Sequence, residues 1–277
     1  MLAITILHRN GAGLSSGPFG VITAAKAATH TDTNADAELA FSATQNSFPI
    51  GMIVDGAFDQ EWLKCIDEIR CSLPLDSKRP TVDRRFFADH SEGRTIVSVI
   101  EAKIKDAIMK TQTLLGLVTR STDSELFVYC NKYLRILEYA NPGSGLPPHT
   151  DGRKVCEQSG ARSTHTFLLF LSDCSLGGET VLLDGKHGWA SHARVVVPPQ
   201  RVVPSGLNGH QRMQPLLRDI TDGDASTNVS IGVSPSMGRM LFFPHEWPHA
   251  GAMCETVPKI MLRAELTIEW MTPNAND

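Results

Sequence analysis

Three residues of this 277-residue chain could together do chemistry: His149, Asp151 and His249. Two imidazoles and one carboxylate can bind a metal on one face and leave its other coordination positions open. This arrangement suits iron(II) when the metal must also bind oxygen and a co-substrate. Asp rather than Cys beside His149 favours iron or manganese over structural zinc. On its own, His-x-Asp is a short pattern that also arises by chance, and Asp commonly serves turns.

The segments around these residues explain how they could meet. Residues 133–139 alternate between faces in the manner of a β-strand, and a turn rich in Gly and Pro then leads to His149. On an extended backbone, residues i and i+2 point the same way, so His149 and Asp151 can bind one metal together. A second apolar strand, residues 239–243, ends at Pro244 and leads to His249.

Two cations follow the distal histidine. Lys259 lies ten residues after His249, and Arg263 is four residues further, so both occupy one face of a predicted strand over residues 259–270. A pair of fixed cations inside a barrel needs an anion, and a dicarboxylate co-substrate would supply one through charge-assisted hydrogen bonds. The alternative is a solvated strand edge, where charges discourage aggregation.

Residues 245–249 spell His-Glu-Trp-Pro-His, which is also the H-E-x-x-H pattern of zinc peptidases. That chemistry needs a helix, so that both histidines project from one face. Pro248 inside a helix would cost about 3 kcal/mol, because it removes a hydrogen bond and clashes with the preceding turn. We therefore disfavour a zinc peptidase, and interpret His245 as an exposed or capped loop histidine in preference to a group beside the metal.

The remaining pattern predicts a mainly β protein with flanking α-helices. Asp59 is a predicted N-cap for a helix that Pro74 ends, and a second helix is expected over residues 94–115 with isoleucines at intervals of four. Further strands are expected over residues 50–54, 167–171 and 179–184. Residues 186–232 read as irregular, which indicates either a functional loop or strands that the pattern does not reveal.

These motifs together resemble the iron(II)- and 2-oxoglutarate-dependent oxygenases, in particular the prolyl 4-hydroxylase-like branch. The resemblance covers roughly residues 126–270. It rests on an ordered series of signals: Tyr139 before a Gly-containing turn, His149-x-Asp151, Thr166 before the apolar run 167–171, Gly177-Gly178-Glu179-Thr180, residues 238–244, His249-x-Gly251, Lys259 and Arg263. It implies a double-stranded β-helix, or jelly-roll, core.

The resemblance implies roles residue by residue. His149, Asp151 and His249 would bind Fe(II), and Lys259 would hold the distal carboxylate of 2-oxoglutarate, with Arg263 as its rival. Tyr139 and Thr166 would be further contacts of the co-substrate. Dioxygen is the second co-substrate, and ascorbate is an additional cofactor that the family allows. No catalytic side chain beyond the metal centre is implied. The chain departs from the family in a Tyr139 to His149 spacing that is one residue longer, and in an unmatched insertion over residues 186–232.

The function implied is a dioxygenase that hydroxylates an unactivated C–H bond. The resemblance points toward a peptidyl proline, but oxygenases of this type also act on other residues and on small molecules, so peptide, protein and small-molecule substrates stay open. A catalytically silent jelly-roll binding domain is the alternative from another class. The intact ligand set and Lys259 count against it.

Composition limits the partners and the location. The net charge is -4 and the isoelectric point about 6.2, so charge gives no reason to expect nucleic acid or an anionic membrane as a partner. No apolar stretch approaches the roughly 20 residues of a membrane helix. Six scattered cysteines without a C-x-x-C pair favour a reducing compartment. We expect a cytoplasmic protein, with organelle targeting as the alternative because residues 1–31 lack acidic residues. The sequence leaves the oligomeric state open.

Two segments are predicted. Residues 1–46, rich in Gly, Ala, Ser, Thr and Asn, are expected to be a poorly ordered N-terminal segment. Residues 47–277 are expected to form one oxygenase domain, with supporting helices over residues 47–122 and the jelly-roll core over residues 123–277.

Overall fold

The computed structural model describes ten stretches of the chain, namely residues 3–9, 19–23, 51–75, 77–78, 82–90, 95–114, 125–155, 160–183, 193–197 and 229–271. Within them lie two α-helices and fifteen β-strands, arranged in two sheets. The prediction of a mainly β protein with flanking helices is confirmed.

The larger sheet contains ten of the strands in the described part of the chain. They are β1 (Ala3–Arg9), β2 (Phe19–Thr23), β3 (Gly51–Asp55), β4 (Ser77–Lys78), β5 (Asp83–Ala88), β6 (Glu125–Cys130), β7 (Tyr133–Tyr139), β9 (His165–Phe170), β13 (Met240–Pro244) and β15 (Lys259–Met271). Their spatial order is β2-β1-β3-β13-β9-β15-β7-β5-β4, and β6 pairs with the second half of the long strand β15.

The smaller sheet contains the other five: β8 (Leu146–His149), β10 (Thr180–Leu182), β11 (Ala193–Val197), β12 (Val229–Val233) and β14 (His249–Gly251). Their spatial order is β11-β12-β10-β14-β8. From β7 to β10 and from β12 to β15, successive strands alternate between the two sheets. That alternation is the topology of a jelly roll, so the predicted core is confirmed.

The larger sheet is buried on both faces because its strands are apolar at odd and even positions alike. Alternate residues such as Phe167, Leu169 and Leu262 pack against the helices. Their neighbours, such as Leu168 and Phe170, pack against the smaller sheet. The space between the sheets is therefore walled by apolar side chains, and polar groups in it must come from particular strand positions.

Two helices cover the outer face. Helix α1 (Gln60–Ser72) begins at Asp59, whose carboxylate accepts a hydrogen bond from the Trp62 backbone N–H at 3.0 Å, as predicted for an N-cap. It buries Leu63 and Ile66. Helix α2 (Ile96–Leu114) buries the predicted isoleucine stripe, Ile96, Ile100, Ile104 and Ile108.

The expectation for the N-terminal segment is wrong in part. Strand β1 lies in the N-terminal segment expected to be poorly ordered, yet it pairs with β3 and buries Ile4, Ile6 and Leu7. Apolar alternation over so few residues is easily missed beside a Gly- and Ser-rich stretch. In the stretch 186–232, β11 and the start of β12 agree with the alternative that the stretch contains strands that the sequence pattern does not reveal. Strand β2 also lies in the N-terminal segment, and the rest of both stretches falls outside the described residues.

Residues 47–122, expected to supply supporting helices, also contribute β3, β4 and β5 to the larger sheet. That residues 47–277 form one domain stays a prediction. Neither helix of the described residues is both long enough and apolar enough to cross a membrane.

Candidate metal centre

The three predicted ligands meet at one end of the smaller sheet. His149 ends β8 and His249 begins β14, and the two residues are direct partners across this antiparallel pair. Asp151 follows two residues after β8. One ligand atom from each of the three side chains lies within 4.8 Å of the other two. Residues separated by about a hundred positions are therefore brought together by strand pairing.

Each imidazole is oriented by a backbone carbonyl. The Nδ1 of His149 lies 2.8 Å from the carbonyl oxygen of Pro147, and the Nδ1 of His249 lies 3.0 Å from that of Trp247. Since a carbonyl only accepts, Nδ1 carries the proton in both rings, and Nε2 keeps its lone pair. The Nε2 atoms face Asp151, at 3.8 Å for His149 and 3.4 Å for His249. This second-sphere arrangement is the usual one for metal-binding histidines.

The electrostatics keep these donors in their metal-binding forms. Burial favours a neutral Asp151 carboxyl, but the charge of Arg263, whose Nη2 lies 2.5 Å from Oδ1, together with His249, the Thr166 hydrogen bond and His149 outweighs this effect, and the pKa falls to about 2. Burial lowers the pKa of His249 to about 4. At neutral pH the carboxylate is therefore ionised and the His249 ring neutral. Two imidazole nitrogens and a carboxylate that converge in this way fit Fe(II).

His245 is where sequence reasoning was wrong. It is buried rather than exposed, and it contacts Thr166 and Ser163. The Thr166 hydroxyl donates to Asp151 Oδ2 at 2.6 Å, so its oxygen can only accept from Nδ1–H of His245, at 2.9 Å. The other ring nitrogen then accepts from the Ser163 hydroxyl at 2.8 Å. A hydrogen-bond chain thus runs from Ser163 through His245 and Thr166 to the predicted metal ligand.

The zinc peptidase pattern lacks the helix that it needs. Residues 245–248 form a turn and a bend between strands β13 and β14. Consequently His245 and His249 do not share a helix face, as Pro248 led us to expect.

A cavity of about 290 Å³ opens between the two sheets beside these ligands. Its walls combine the metal-binding side chains with apolar and cationic residues of the larger sheet. The lining residues include Val82, Arg84, Arg135, Leu137, Tyr139, His149, Asp151, Thr166, Leu168, His249, Lys259, Met261 and Arg263.

Lys259 is the buried cation of this cavity. Its side chain is only 1% exposed. Its ammonium lies 5.0 Å above the centre of the ring of Tyr139, and Tyr139 is the cross-strand partner of Lys259. Burial lowers the pKa of Lys259 to about 8. No carboxylate of the described residues lies within ion-pair distance of it. Arg263, the predicted rival, is already bound to Asp151 and lies 3.6 Å from Glu265.

The other two predicted co-substrate contacts have different surroundings. Tyr139 is buried, and burial raises its pKa to about 12, so the phenol keeps its proton. The Thr166 hydroxyl donates its hydrogen bond to Asp151. That either residue contacts 2-oxoglutarate stays a prediction.

Sequence reasoning assigned no role to three charged groups that are now seen near the ligands: Arg84, Arg135 and Glu265. Arg135 forms an ion pair with Glu265, and both arginines line the cavity. The alternation of β7 does place Arg135 on the face of Tyr139. No comparable signal exists for Arg84, because its position depends on the pairing of β5 with β7.

No protein-family model and no curated protein matches the sequence. Solved structures do match. One is an oxidoreductase of the 2OG-Fe(II) oxygenase family from Burkholderia pseudomallei, at 14% identity and a TM-score of 0.41, covering 76% of this chain and 80% of the other.

Two further matches illustrate the range of these neighbours. A Pseudomonas putida prolyl-4-hydroxylase matches at 12% identity and a TM-score of 0.39, covering 82% of this chain and 94% of its own. The epimerase SnoN, in complex with Fe3+, α-ketoglutarate and nogalamycin RO, matches at 15% identity and a TM-score of 0.44, covering 78% of each chain. At such similarity, information about chemistry must come from the residues of the site.

Proposed function

We propose that this protein is an iron(II)- and 2-oxoglutarate-dependent dioxygenase that hydroxylates a C–H bond. The observation that carries the proposal is the convergence of His149 Nε2, His249 Nε2 and the Asp151 carboxylate in a cavity that also holds Lys259. Bound iron would supply the activation of dioxygen with 2-oxoglutarate as co-substrate.

The side chains of the protein would bind the metal and the co-substrate, orient the metal ligands and exclude water. The two histidines and Asp151 would hold the metal from one side, and the backbone carbonyls behind the imidazoles would fix their direction. Lys259 would bind the distal carboxylate of 2-oxoglutarate, because it is a buried cation without an anionic partner among the described residues. Leu137, Leu168 and Met261 would keep water from the reacting groups.

The test is an anaerobic titration of the purified protein with Fe(II) and then 2-oxoglutarate. We expect a weak visible charge-transfer band from the chelated keto acid. The double variant His149→Ala with Asp151→Ala should lose the band, whereas His90→Ala, which changes an exposed histidine, should keep it. Absence of the band in the wild type, or an undiminished band in the double variant, would refute the assignment.

A second variant tests the co-substrate site. Lys259→Ala should weaken the binding of 2-oxoglutarate more than the binding of iron, because the lysine contacts only the former. Equal loss of both would make Lys259 a structural residue. A normal band with no formation of succinate under oxygen, with any substrate, would favour the silent binding domain instead.

The identity of the substrate is a separate part of the proposal. A peptidyl proline is what the sequence resemblance points toward, and another amino-acid side chain or a small molecule are the alternatives.

A further inference from the structure

Two exposed aromatic side chains, Phe86 of β5 and Tyr133 of β7, have no role in the proposed metal and co-substrate sites. Their exposed fractions are 42% and 49%, the highest of any Phe, Tyr or Trp among the described residues. Phe86 opposes Arg135 across β5 and β7, and Tyr133 opposes Ala88, so the two aromatic residues are diagonal neighbours. Diagonal neighbours on a sheet are within reach of each other when the side chains are aromatic. The two rings therefore form one exposed apolar surface.

Both side chains project from the wall that faces the metal ligands. Tyr133 is two residues from Arg135 on β7, and Phe86 is two residues from Arg84 on β5. Both arginines line the cavity. Since the side chains of a strand alternate between its two faces, Phe86 and Tyr133 share the face of these arginines. Phe87, the neighbour of Phe86, accordingly packs against the core on the other face.

This wall is closed at the end where the co-substrate is proposed to bind. Lys259 and its cross-strand partner Tyr139 are only 1% and 3% exposed. The next pair on the same face, Met261 with Leu137, is also buried. This burial leaves no room for a substrate to approach the metal ligands from the closed end.

The same wall is open at the level of the metal ligands. Arg263, which binds Asp151, pairs with Arg135, and Arg135 pairs with Phe86. The spacing of neighbouring strands places the backbone of Phe86 about 10 Å from that of Arg263. Tyr133 lies two residues beyond Arg135, further from the closed end. A substrate that reaches the metal from this side passes over both rings.

The size of the cavity indicates how such a substrate lies. The cavity measures about 290 Å³, which is small for a ligand pocket even before 2-oxoglutarate occupies part of it. A small-molecule ligand usually has most of its surface buried, and exposed rings outside the cavity do not provide that burial. A peptide can insert one side chain and lay its neighbouring residues across the rings, as extended peptides do in aromatic-lined grooves.

We infer that Phe86 and Tyr133 determine substrate specificity by binding an aromatic residue that flanks the hydroxylated residue of a peptide. This inference rests on the proposed function and names the surface that its substrate contacts. Two rings on backbones about 7–8 Å apart can hold a third at the centroid distances of about 4.5–7 Å at which aromatic pairs attract. A separation of about 10 Å corresponds to about three residues of extended chain, so the flanking residue lies within three positions of the reacting one.

The chain offers conservative variants and a matched control. Phe86→Leu and Tyr133→Leu keep an apolar side chain and remove the ring. Tyr133→Phe keeps the ring and removes the hydroxyl group. Met109→Leu changes a side chain of similar exposure, 45%, on helix α2 and outside the cavity.

The experiment gives the iron-loaded full chain a positional-scanning library of capped heptapeptides and measures succinate formation from 2-oxoglutarate. Each amino acid is fixed in turn at each position, so the reacting residue need not be known beforehand. Stimulating peptides are then resynthesised with Phe, Pro or Ala at each flanking position, and kcat and KM are measured separately.

We expect an aromatic residue at one flanking position to raise kcat/KM about 2- to 10-fold over Ala, as one aromatic contact does. Phe86→Leu and Tyr133→Leu should each reduce that preference through a higher KM with little change in kcat, because the contact is equal in the ground and transition states. Peptides with Ala at that position should not distinguish these variants from the wild type. Tyr133→Phe and Met109→Leu should match the wild type, and the affinity for 2-oxoglutarate should be unchanged throughout.

Several results would overturn the inference. They are the absence of any stimulating peptide, a flanking preference for Pro over aromatic residues, and an aromatic preference that survives both Phe86→Leu and Tyr133→Leu. Loss of the keto-acid band in either leucine variant would instead make the ring a structural element of the metal site. The band also separates these outcomes from failure of the proposed function: without a band in the wild type, the proposed function itself is wrong.

Discussion

At the scale of single residues, both oxygens of the Asp151 carboxylate are held by neighbouring side chains. Arg263 contacts one oxygen and Thr166 the other, and Thr166 is in turn oriented by His245. Burial lowers the pKa of His245 to about 4, so this ring is neutral and keeps one donor and one acceptor nitrogen. A fixed carboxylate loses little conformational entropy on binding a cation, which favours tight metal binding.

Replacement of His245 should therefore weaken iron binding. His245→Phe removes the donor to Thr166 and the acceptor for Ser163, and we expect the dissociation constant of Fe(II) to rise by about 10- to 100-fold, the usual cost of losing an outer-sphere partner. Anaerobic titration with Fe(II) would measure it, with His90→Phe as the control and His245→Gln as the variant that restores part of the hydrogen bonding. A loss of thermal stability with unchanged iron affinity would show a merely structural role.

We expect Lys259 to make the binding of 2-oxoglutarate dependent on pH. Its pKa is lowered by burial to about 8, so the free protein carries the ammonium below that pH and loses it above. The dissociation constant of 2-oxoglutarate should then rise by about tenfold per pH unit above pH 8, and stay level below it. Titrations of the keto-acid band from pH 7 to 9 would measure this.

Lys259→Arg is the control for that pH dependence, because a guanidinium stays charged over the whole range. We expect its binding of 2-oxoglutarate to be level through pH 9. The same rise in the variant would mean that another group titrates.

At the scale of elements, the turn before β10 makes room for Lys259. Gly178 has φ +70°, and a Cβ there would lie 2.8 Å from Cys174 Sγ and 3.3 Å from Cys254 Sγ and Lys259 Cδ. The turn can thus pack against the lysine only because this position lacks a side chain. The Gly177-Gly178 motif therefore affects the site through the backbone conformation of this turn.

Gly178→Ala should both destabilise the protein and weaken 2-oxoglutarate binding. The left-handed backbone costs about 1–2 kcal/mol for Ala, and the contact with Cys174 adds to it. Gly143→Ala is the matched control, since Gly143 has φ +78° with nothing within 4 Å of the added Cβ. Denaturant unfolding should show the larger loss of stability for Gly178→Ala, and co-substrate binding should fall only there. Equal losses of stability would mean that the packing contact contributes nothing.

At the scale of the whole molecule, a buried ion pair joins the jelly roll to strand β3. Arg239, immediately before β13, donates to Asp55 through Nε at 2.6 Å and Nη2 at 3.0 Å, and it also donates to the carbonyl of Ser234. Both side chains are almost fully buried. A bidentate pair in this position fixes β3 against β13, and β3 in turn pairs with β1.

Loss of one partner of this pair should be costly. Arg239→Met leaves the Asp55 carboxylate buried without its guanidinium, and we expect the free energy of unfolding to fall by about 3–5 kcal/mol. Arg153→Met is the control, because Arg153 and Glu246 are exposed and 4.0 Å apart, and such pairs contribute about 0–1 kcal/mol. Urea unfolding followed by circular dichroism would measure both. A fall below 1 kcal/mol for Arg239→Met would contradict the assigned role.

Much of the jelly roll and three predicted ligands could be read from the sequence. Alternating and apolar runs predicted β7, β9, β13 and β15, and turn residues predicted that a strand is followed by a turn before each of His149 and His249. These features are local, since side-chain direction on a strand follows from its two-residue period. The local residue pattern did not reveal strand β1, which lies in a stretch of low complexity, or strand β11, which lies in a long insertion.

The sequence by itself determined which residues could bind iron and which lysine could face them, because residue type, spacing and strand period suffice for that. The tertiary structure alone decided that His245 supports Asp151, that Arg263 is bound to Asp151 and Arg239 to Asp55, and that Arg84 joins the cavity. His245 and Thr166 are 79 positions apart in the sequence, and Arg239 and Asp55 are 184 positions apart. Only the order and register of the strands bring such groups together, and those depend on pairing across the whole sheet.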